Sequence, residues 1–379
     1  MTPLPRLPMI ALAAALMTAC SPPAATTPTS VSETTVTLEE VVGAEQPWGM
    51  AFLPDGSLLF TEKAGGLKYF AAGSSAAAVA VAGVPPAFTE GQAGYLGIAL
   101  GPDFAESRLV YVALSSGTAE ANSTLVVRGR LTEDASALEG VEEVFRGDLR
   151  ETAYHYGSRL AFANDGTLFI TVGEGYVHMQ EAQDPKTTHG KVIRVNPDGS
   201  IPADNPFADG VAGNPAVWSY GHRNPQGLYY DGMSGTLWAT EHGPKGGDEL
   251  NIITKGTNYG WPAITYGIDY SGKIISDKTE APGMAQPELY WVPSIAPSGL
   301  TMLTSDVYPG WKGDLFAGGM NGPSGLVLVR IDLQDGKVIG KEDLMKGEYA
   351  IRDVVQGPDG YLYVATKDFD GIFKLVPGE

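Results

Sequence analysis

The sequence predicts an all-β fold, a six-bladed β-propeller with four-stranded antiparallel blades. Three observations predict it. Turn formers are abundant, with 49 glycines and 27 prolines among 379 residues, as many tight turns between short strands require. A strand–turn–strand unit recurs six times. Beyond the N-terminal leader, no amphipathic helix of useful length is evident.

The copies are PWGMAFLPDGSLLFTE from Pro47, YLGIALGPDFAESRLVYVALS from Tyr95, GSRLAFANDGTLFITVGEG from Gly157, QGLYYDGMSGTLWATEHG from Gln226, SGLTMLTSDVYPGWKGDLFAGG from Ser298 and IRDVVQGPDGYLYVATKD from Ile351. Each alternates apolar and polar residues around a turn, the pattern of a hairpin. One hairpin cannot bury its apolar face, whereas several stacked around an axis can, and closing the ring protects the strand edges. The spacing is irregular, roughly 45 to 80 residues, and the constant order of elements favours a propeller over a sandwich with chance similarity among its turns. In a propeller the first strand of each copy is innermost. Residues just before it gather at one rim of the central channel, and residues just after the returning strand come back to that rim.

The folded domain is expected over residues 37–379. Before it, residues 1–19 read as a signal peptide, with Arg6, an apolar run from Met9 to Met17, and small residues. Met17-Thr18-Ala19-Cys20 resembles the lipobox of bacterial lipoproteins, in which the cysteine becomes the lipidated first residue. An ordinary secretory signal is the alternative, and the position of the chain's single cysteine just after the apolar run favours lipidation. Residues 20–36, rich in Ser, Thr, Pro and Ala, are expected to form a flexible tether. The expected location is the bacterial cell envelope, facing the periplasm, with an outer-membrane lipid anchor as the only membrane contact.

The formal charge of −19 argues against nucleic acid as a partner, since a phosphate-backbone binder needs a basic face. The acidity serves solubility, or some carboxylates hold divalent cations; composition leaves both open. No histidine pair has zinc-like spacing on one strand or helix. No nucleophile elbow, P-loop or dinucleotide fingerprint stands in a strand–turn–helix context.

The rim positions hold chemistry-bearing residues. Before the first strands lie Gln92, His155, Arg223 with Asn224, Ser294 and Arg352, and after the second strand of the fourth copy comes His242-Gly243-Pro244. His155 is the natural general base. Arg223 beside Asn224 suits an anionic or quinone-like oxygen. Carbonyls of the HGPKGGDELN turn, with Glu249 nearby and Tyr259 further on, can ligate calcium.

Several stretches in order, among them GQAGYLGIALGPDF, HYGSRLAFANDGTLFITVG, HGKVIRVNPDGSIPADNPF, WSYGHRNPQGL, TEHGPKGGDELN, NYGWP, SIAPSGL and IRDVVQGPDG, resemble the glucose/sorbosone dehydrogenase family, closest to its aldose sugar dehydrogenase branch. The resemblance implies a six-bladed propeller that oxidises aldoses to lactones with pyrroloquinoline quinone (PQQ) and calcium, passing electrons to an external quinone, cytochrome or dye. It implies His155 as the base that takes the anomeric hydroxyl proton. Arg223 and Asn224 would contact the quinone, with Arg223 stabilising developing charge. Gln92, His242 and Ser294 would stand at the cofactor site, and Arg352 would hold PQQ carboxylates. The Gly243 and Pro244 carbonyls would ligate a calcium that bridges to PQQ, while Glu249 and Tyr259 would ligate a second one. The chain departs from the family pattern at Ala350, where an arginine is usual, and at Asn321, near which glucose-type members carry a lysine. His242 replaces a glutamine of those members, and Tyr154 an acid. Two other readings stay open: a calcium-dependent propeller lactonase, and a non-catalytic propeller that binds sugars or proteins.

Overall fold

A computed structural model describes residues 27–367 and 370–378. The signal peptide and the lipidated Cys20 expected from the sequence lie outside the described residues. The rest is a six-bladed β-propeller, each blade an antiparallel sheet of four strands. The innermost strands are Pro47–Phe52, Tyr95–Leu100, Leu160–Phe162, Pro225–Asp231, Pro297–Met302 and Ile351–Gln356. Each packs against the next around the axis, and the last against the first. Helix among the described residues is confined to turns of four or five residues.

The repeated hairpins have a common local cause. In blades one, three and six, the aspartates Asp55, Asp165 and Asp359 each accept a hydrogen bond from the backbone N–H two residues on. The glycine between, for example Gly56 at φ 86°, takes a left-handed conformation that costs other residues more. The strands then alternate strictly. Val110, Val112 and Leu114 face the apolar layer shared with blade one, while Tyr111 and Ala113 face the layer shared with blade three. Each middle strand therefore feeds two cores, and stacking the blades buries both faces. At the axis the inner strands meet backbone to backbone: a Cβ on Gly49 would stand 2.9 Å from the Leu96 carbonyl oxygen of the next blade.

The ring is closed by a strand that the repeat did not reveal. Val36–Gly43 forms the outermost strand of blade six and pairs antiparallel with Gly371–Pro377, in register Leu38 to Leu375 and Val42 to Ile372. Deleting Val36–Gly43 would uncover the edge of the last blade. The expected result is a thermal midpoint lowered by roughly 10 °C or more, read by calorimetry; an unchanged midpoint would show that the closure is dispensable.

The tether expected over residues 20–36 is shorter in its described part. Ser30 donates its N–H to Lys341 O (2.9 Å), Lys341 returns one to Pro28 O (3.0 Å), and the Ser30 hydroxyl reaches Asp332 (2.9 Å). This segment lies along the outer strand of blade five, Lys337–Leu344, whose free backbone groups accept an extended chain.

Below the rim, the channel is crossed by Arg159. Its guanidinium binds Asp353 Oδ1 (2.6 Å), the Gln226 carbonyl (2.6 Å) and the Arg352 carbonyl (2.8 Å), and lies 4.2 Å from the Trp48 ring centre. Asp353 also accepts the Met50 N–H (3.0 Å). One buried ion pair thus joins blades one, three, four and six.

Candidate active site

Above this plug lies a cavity of about 280 Å³. Its wall includes Trp48, Gln92, Asn224, Gln226, His242 and Arg352, together with Lys63 and Lys367. Of the residues expected at the rim, Gln92, Asn224, His242 and Arg352 line this cavity, while His155, Arg223 and Ser294 are not part of its wall.

His155 stands directly behind Gln92, Tyr156 and Gly157. It is buried, 4% exposed, and adopts a left-handed backbone at φ 55°, which a non-glycine residue keeps only where its surroundings fix it. Here they do. Its N–H donates to Gln92 Oε1 (2.9 Å), and its carbonyl accepts from Arg150 Nη1 (2.6 Å). Its ring Nδ1 lies 2.9 Å from Glu174 Oε1. A carboxylate there places the proton on Nδ1 and leaves the lone pair on Nε2, and Nε2 has no partner among the described residues. Burial, then the Arg223 charge, push the imidazole below its ordinary range, against the pull of Glu174. The shift favours the neutral, proton-accepting form of the ring.

On the same side, Asn224 Oδ1 accepts from Gly157 N–H (3.2 Å) and Gln226 Nε2 (3.1 Å), while its Nδ2 is buried without a partner among the described residues. An unmet buried donor of this kind calls for an acceptor from a ligand. Arg223 Nη1 binds the carbonyls of Gly243 (2.7 Å) and His242 (3.2 Å). His242 Nε2 donates to Pro297 O (2.8 Å). Burial, with Arg223 and Arg352 nearby, holds His242 well below the usual imidazole range.

The predicted residues do not all face this cavity. The Ser294 hydroxyl turns to Asp248 (2.7 Å), and the wall there is made by Ala296. Glu249 and Tyr259 meet in an adjacent small pocket with Glu241, Gly243 and Arg223. Asn251 Nδ2 bridges Glu241 (3.0 Å) and Glu249 (3.1 Å). Burial and the neighbouring Glu241 raise Glu249 well above the carboxylate range. Two carboxylates crowded in a buried pocket beside backbone carbonyls fit a hard cation such as calcium. The Tyr259 phenol is occupied by Ile252 O and Thr254 N–H, so only its carbonyl is available to a cation. The Gly243 carbonyl is taken by Arg223, while that of Pro244 accepts no hydrogen bond among the described residues.

A model of glucose/sorbosone dehydrogenases matches residues 44–375. The chain belongs to the glucose/sorbosone dehydrogenase family. It is an oxidoreductase family, and the motifs above had pointed to it and to its aldose branch. This family member is 42% identical over 342 residues to aldose sugar dehydrogenase YliI of Escherichia coli, covering 88% of this chain and 90% of that one. It is 32% identical over 265 residues to quinoprotein glucose dehydrogenase B of Acinetobacter calcoaceticus, covering 62% and 54%. The PQQ-bound aldose sugar dehydrogenase of Streptomyces coelicolor superposes with a TM-score of 0.76 at 29% identity, covering 91% of this chain and 99% of that one.

In this dehydrogenase-family chain the sequence reading passed over three groups at the site. Glu174 follows the second strand of blade three, Leu168–Val172, and Lys63 and Lys367 follow those of blades one and six, Leu58–Glu62 and Leu362–Thr366. These are the return positions at which only His242 was recognised; applying one rule to every copy would have found them. Arg159, one residue from the inner strand of blade three, carried no such signal. His178, Glu181 and His189 also come together, their ligand-type atoms within 4.8 Å. Both Nδ1 atoms meet Glu181 (2.8 and 2.7 Å) and the rings stack, so the group is largely satisfied by its own bonds. It fastens the segment that follows Glu174.

Proposed function

We propose that this protein oxidises aldose sugars at the anomeric carbon to lactones, with PQQ and calcium as cofactors and an external quinone, cytochrome or dye as electron acceptor. The observation that carries the reading is the His155–Glu174 pair, held through Gln92 next to a cavity that Gln92 and Asn224 line, with an unmet amide donor on Asn224. When bound, calcium-associated PQQ would supply the electrophilic ring that accepts hydride. The chain's own residues do the rest. His155 Nε2 would take the anomeric hydroxyl proton, and Glu174 would steady the imidazolium that forms. Arg223 and the Asn224 amide would meet the quinone oxygens, and Gln92 would hold His155 through its backbone. Pro244, with Gly243 once Arg223 turns to the quinone, would offer carbonyls to one calcium, and Glu249 and Tyr259 would serve another. The envelope lipoprotein reading through Cys20 belongs to the same proposal, since it sets the chain among periplasmic sugars.

A propeller lactonase fits less well, because the cavity wall carries no carboxylate among the described residues. A non-catalytic binding propeller is separated by experiment. Dye reduction with a panel of aldoses should require both PQQ and calcium and should stop on chelation. Sugar-independent dye reduction, or none with both cofactors present, would refute the dehydrogenase reading.

Glu174 acts here as a positioning residue. Its carboxylate raises the His155 pKa, so Glu174→Gln should lower it further. A base works above its pKa, so the acid limb of kcat/KM should move to lower pH while kcat falls about 10²-fold or more. A variant with an unmoved acid limb would show that Glu174 does not tune His155.

A further inference from the structure

We infer that Lys63 and Lys367, with Arg352, form a tricationic anion subsite in the cavity wall that takes the cofactor's carboxylates in place of the charges absent at Ala350 and Asn321. The inference rests on the PQQ reading above and assigns residues that the family motifs did not.

The first support is placement. Lys63, Arg352 and Lys367 all line the one cavity; Lys63 and Lys367 occupy equivalent positions in blades one and six, and Arg352 stands on the inner strand of blade six. The second is charge. Among the described residues no carboxylate pairs with any of the three, although the chain carries a net charge of −19 and most of its other arginines have carboxylate or carbonyl partners. Among the described residues the Lys63 ammonium donates only to the Gly91 carbonyl (2.6 Å), and the Arg352 guanidinium only to Gln226 Oε1 (3.3 Å). Burial, then Arg352 and Lys367, push the Lys63 ammonium below its usual range; three like charges crowd one another and an anion would relieve them.

The third support is local exchange. Ala350 is 1% exposed, so the backbone there is packed shut. The Lys367 N–H donates to the Ala350 carbonyl (2.9 Å), so the residue hydrogen-bonded across the hairpin supplies a cation where Ala350 does not. Trp48 borders the same cavity, with the Arg352 guanidinium 5.7 Å and the Arg159 guanidinium 4.2 Å from its ring. A polycarboxylate suits that arrangement of charges.

The test is a binding titration on the purified full-length chain, following tryptophan fluorescence, with PQQ and calcium and separately with benzene-1,3,5-tricarboxylate, which has the charge but no quinone. Lys63→Gln and Lys367→Gln should each weaken PQQ about tenfold, and the double variant about 100-fold. The salt dependence of affinity should flatten as charges are removed. Unchanged PQQ affinity in a double variant of native circular dichroism would overturn this inference and leave the dehydrogenase reading standing. A wild-type chain that ignores PQQ yet binds the tricarboxylate, with that binding lost in the double variant, would keep the anion subsite and overturn the cofactor reading. Binding of neither would overturn both.

Discussion

Replacing His155 with alanine is expected to lower kcat by about 10²- to 10⁴-fold, the range for loss of a positioned general base, while PQQ affinity stays within about threefold. The argument is geometric. Glu174 fixes the proton on Nδ1 at 2.9 Å, Gln92 and Arg150 fix the backbone, and Nε2 is left without a partner among the described residues. His242, the other imidazole at this wall, points its Nε2–H at Pro297 O and has no carboxylate partner among the described residues to orient it or to steady an imidazolium. Alanine also disfavours the left-handed backbone at φ 55°, so His155→Asn serves as companion: asparagine tolerates that conformation and lacks the base. Steady-state kinetics and a PQQ titration on both variants decide. Activity retained in His155→Asn would remove His155 from the chemistry. The wild-type pH profile adds a check. The imidazole lies below its ordinary range, so the base form persists at lower pH, and the acid limb of kcat/KM should lie below that of an unperturbed histidine.

Arg159→Leu is expected to be the most damaging single change to stability. Removing one partner of a buried ion pair strands the other, at about 3–5 kcal/mol. Here the loss reaches further, because the same guanidinium also satisfies the carbonyls of Gln226 and Arg352. A fall in thermal midpoint of roughly 10 °C is expected. Asp353→Leu should do comparable harm by freeing both Arg159 and the Met50 N–H. The double variant should cost less than the sum of the two, because residues in contact couple. Strict additivity in chemical denaturation would mean that the two groups do not act as a pair. Since Gln226 and Arg352 also line the cavity, PQQ affinity should fall in Arg159→Leu even below its midpoint.

The parts of this molecule that were legible in the sequence are those with a local cause. Turns such as Asp55-Gly56 declare a hairpin in adjacent letters, and six hairpins in one order declare a ring. The rim was legible because a propeller returns the chain to it twice per blade. What escaped had no local cause. The Val36–Gly43 strand alternates only weakly in burial and resembles any edge strand; its partner lies at the far end of the chain. Ser294 was assigned to the cavity, yet register shifts enter the inner hairpins of most blades near the rim, in blade five between Pro297 and Leu300. What decides the outcome there is Asp248, 46 residues back in the chain, which draws the Ser294 hydroxyl to itself and leaves Ala296 at the wall. Glu174, Lys63 and Lys367 were readable in principle, as they stand where the returning strands end. Arg159 became visible only with the distances, since its partners lie 67 to 194 residues away.

The strand that closes the last blade also sets the order in which this chain can fold. Leu38 and Leu375 are neighbours across a ladder, so the contact that completes the circle spans nearly the whole domain. Contacts of such separation carry the largest closure entropy and the slowest formation. Blades one to five can assemble from hairpins as they emerge, but the final sheet must wait for Gly371–Pro377. Until then, an unpaired strand stands at each end of an open circle, ready to pair with another copy. Refolding yield should therefore fall with protein concentration, and a short peptide carrying the Val36–Gly43 sequence should compete with closure while having no effect on the closed molecule.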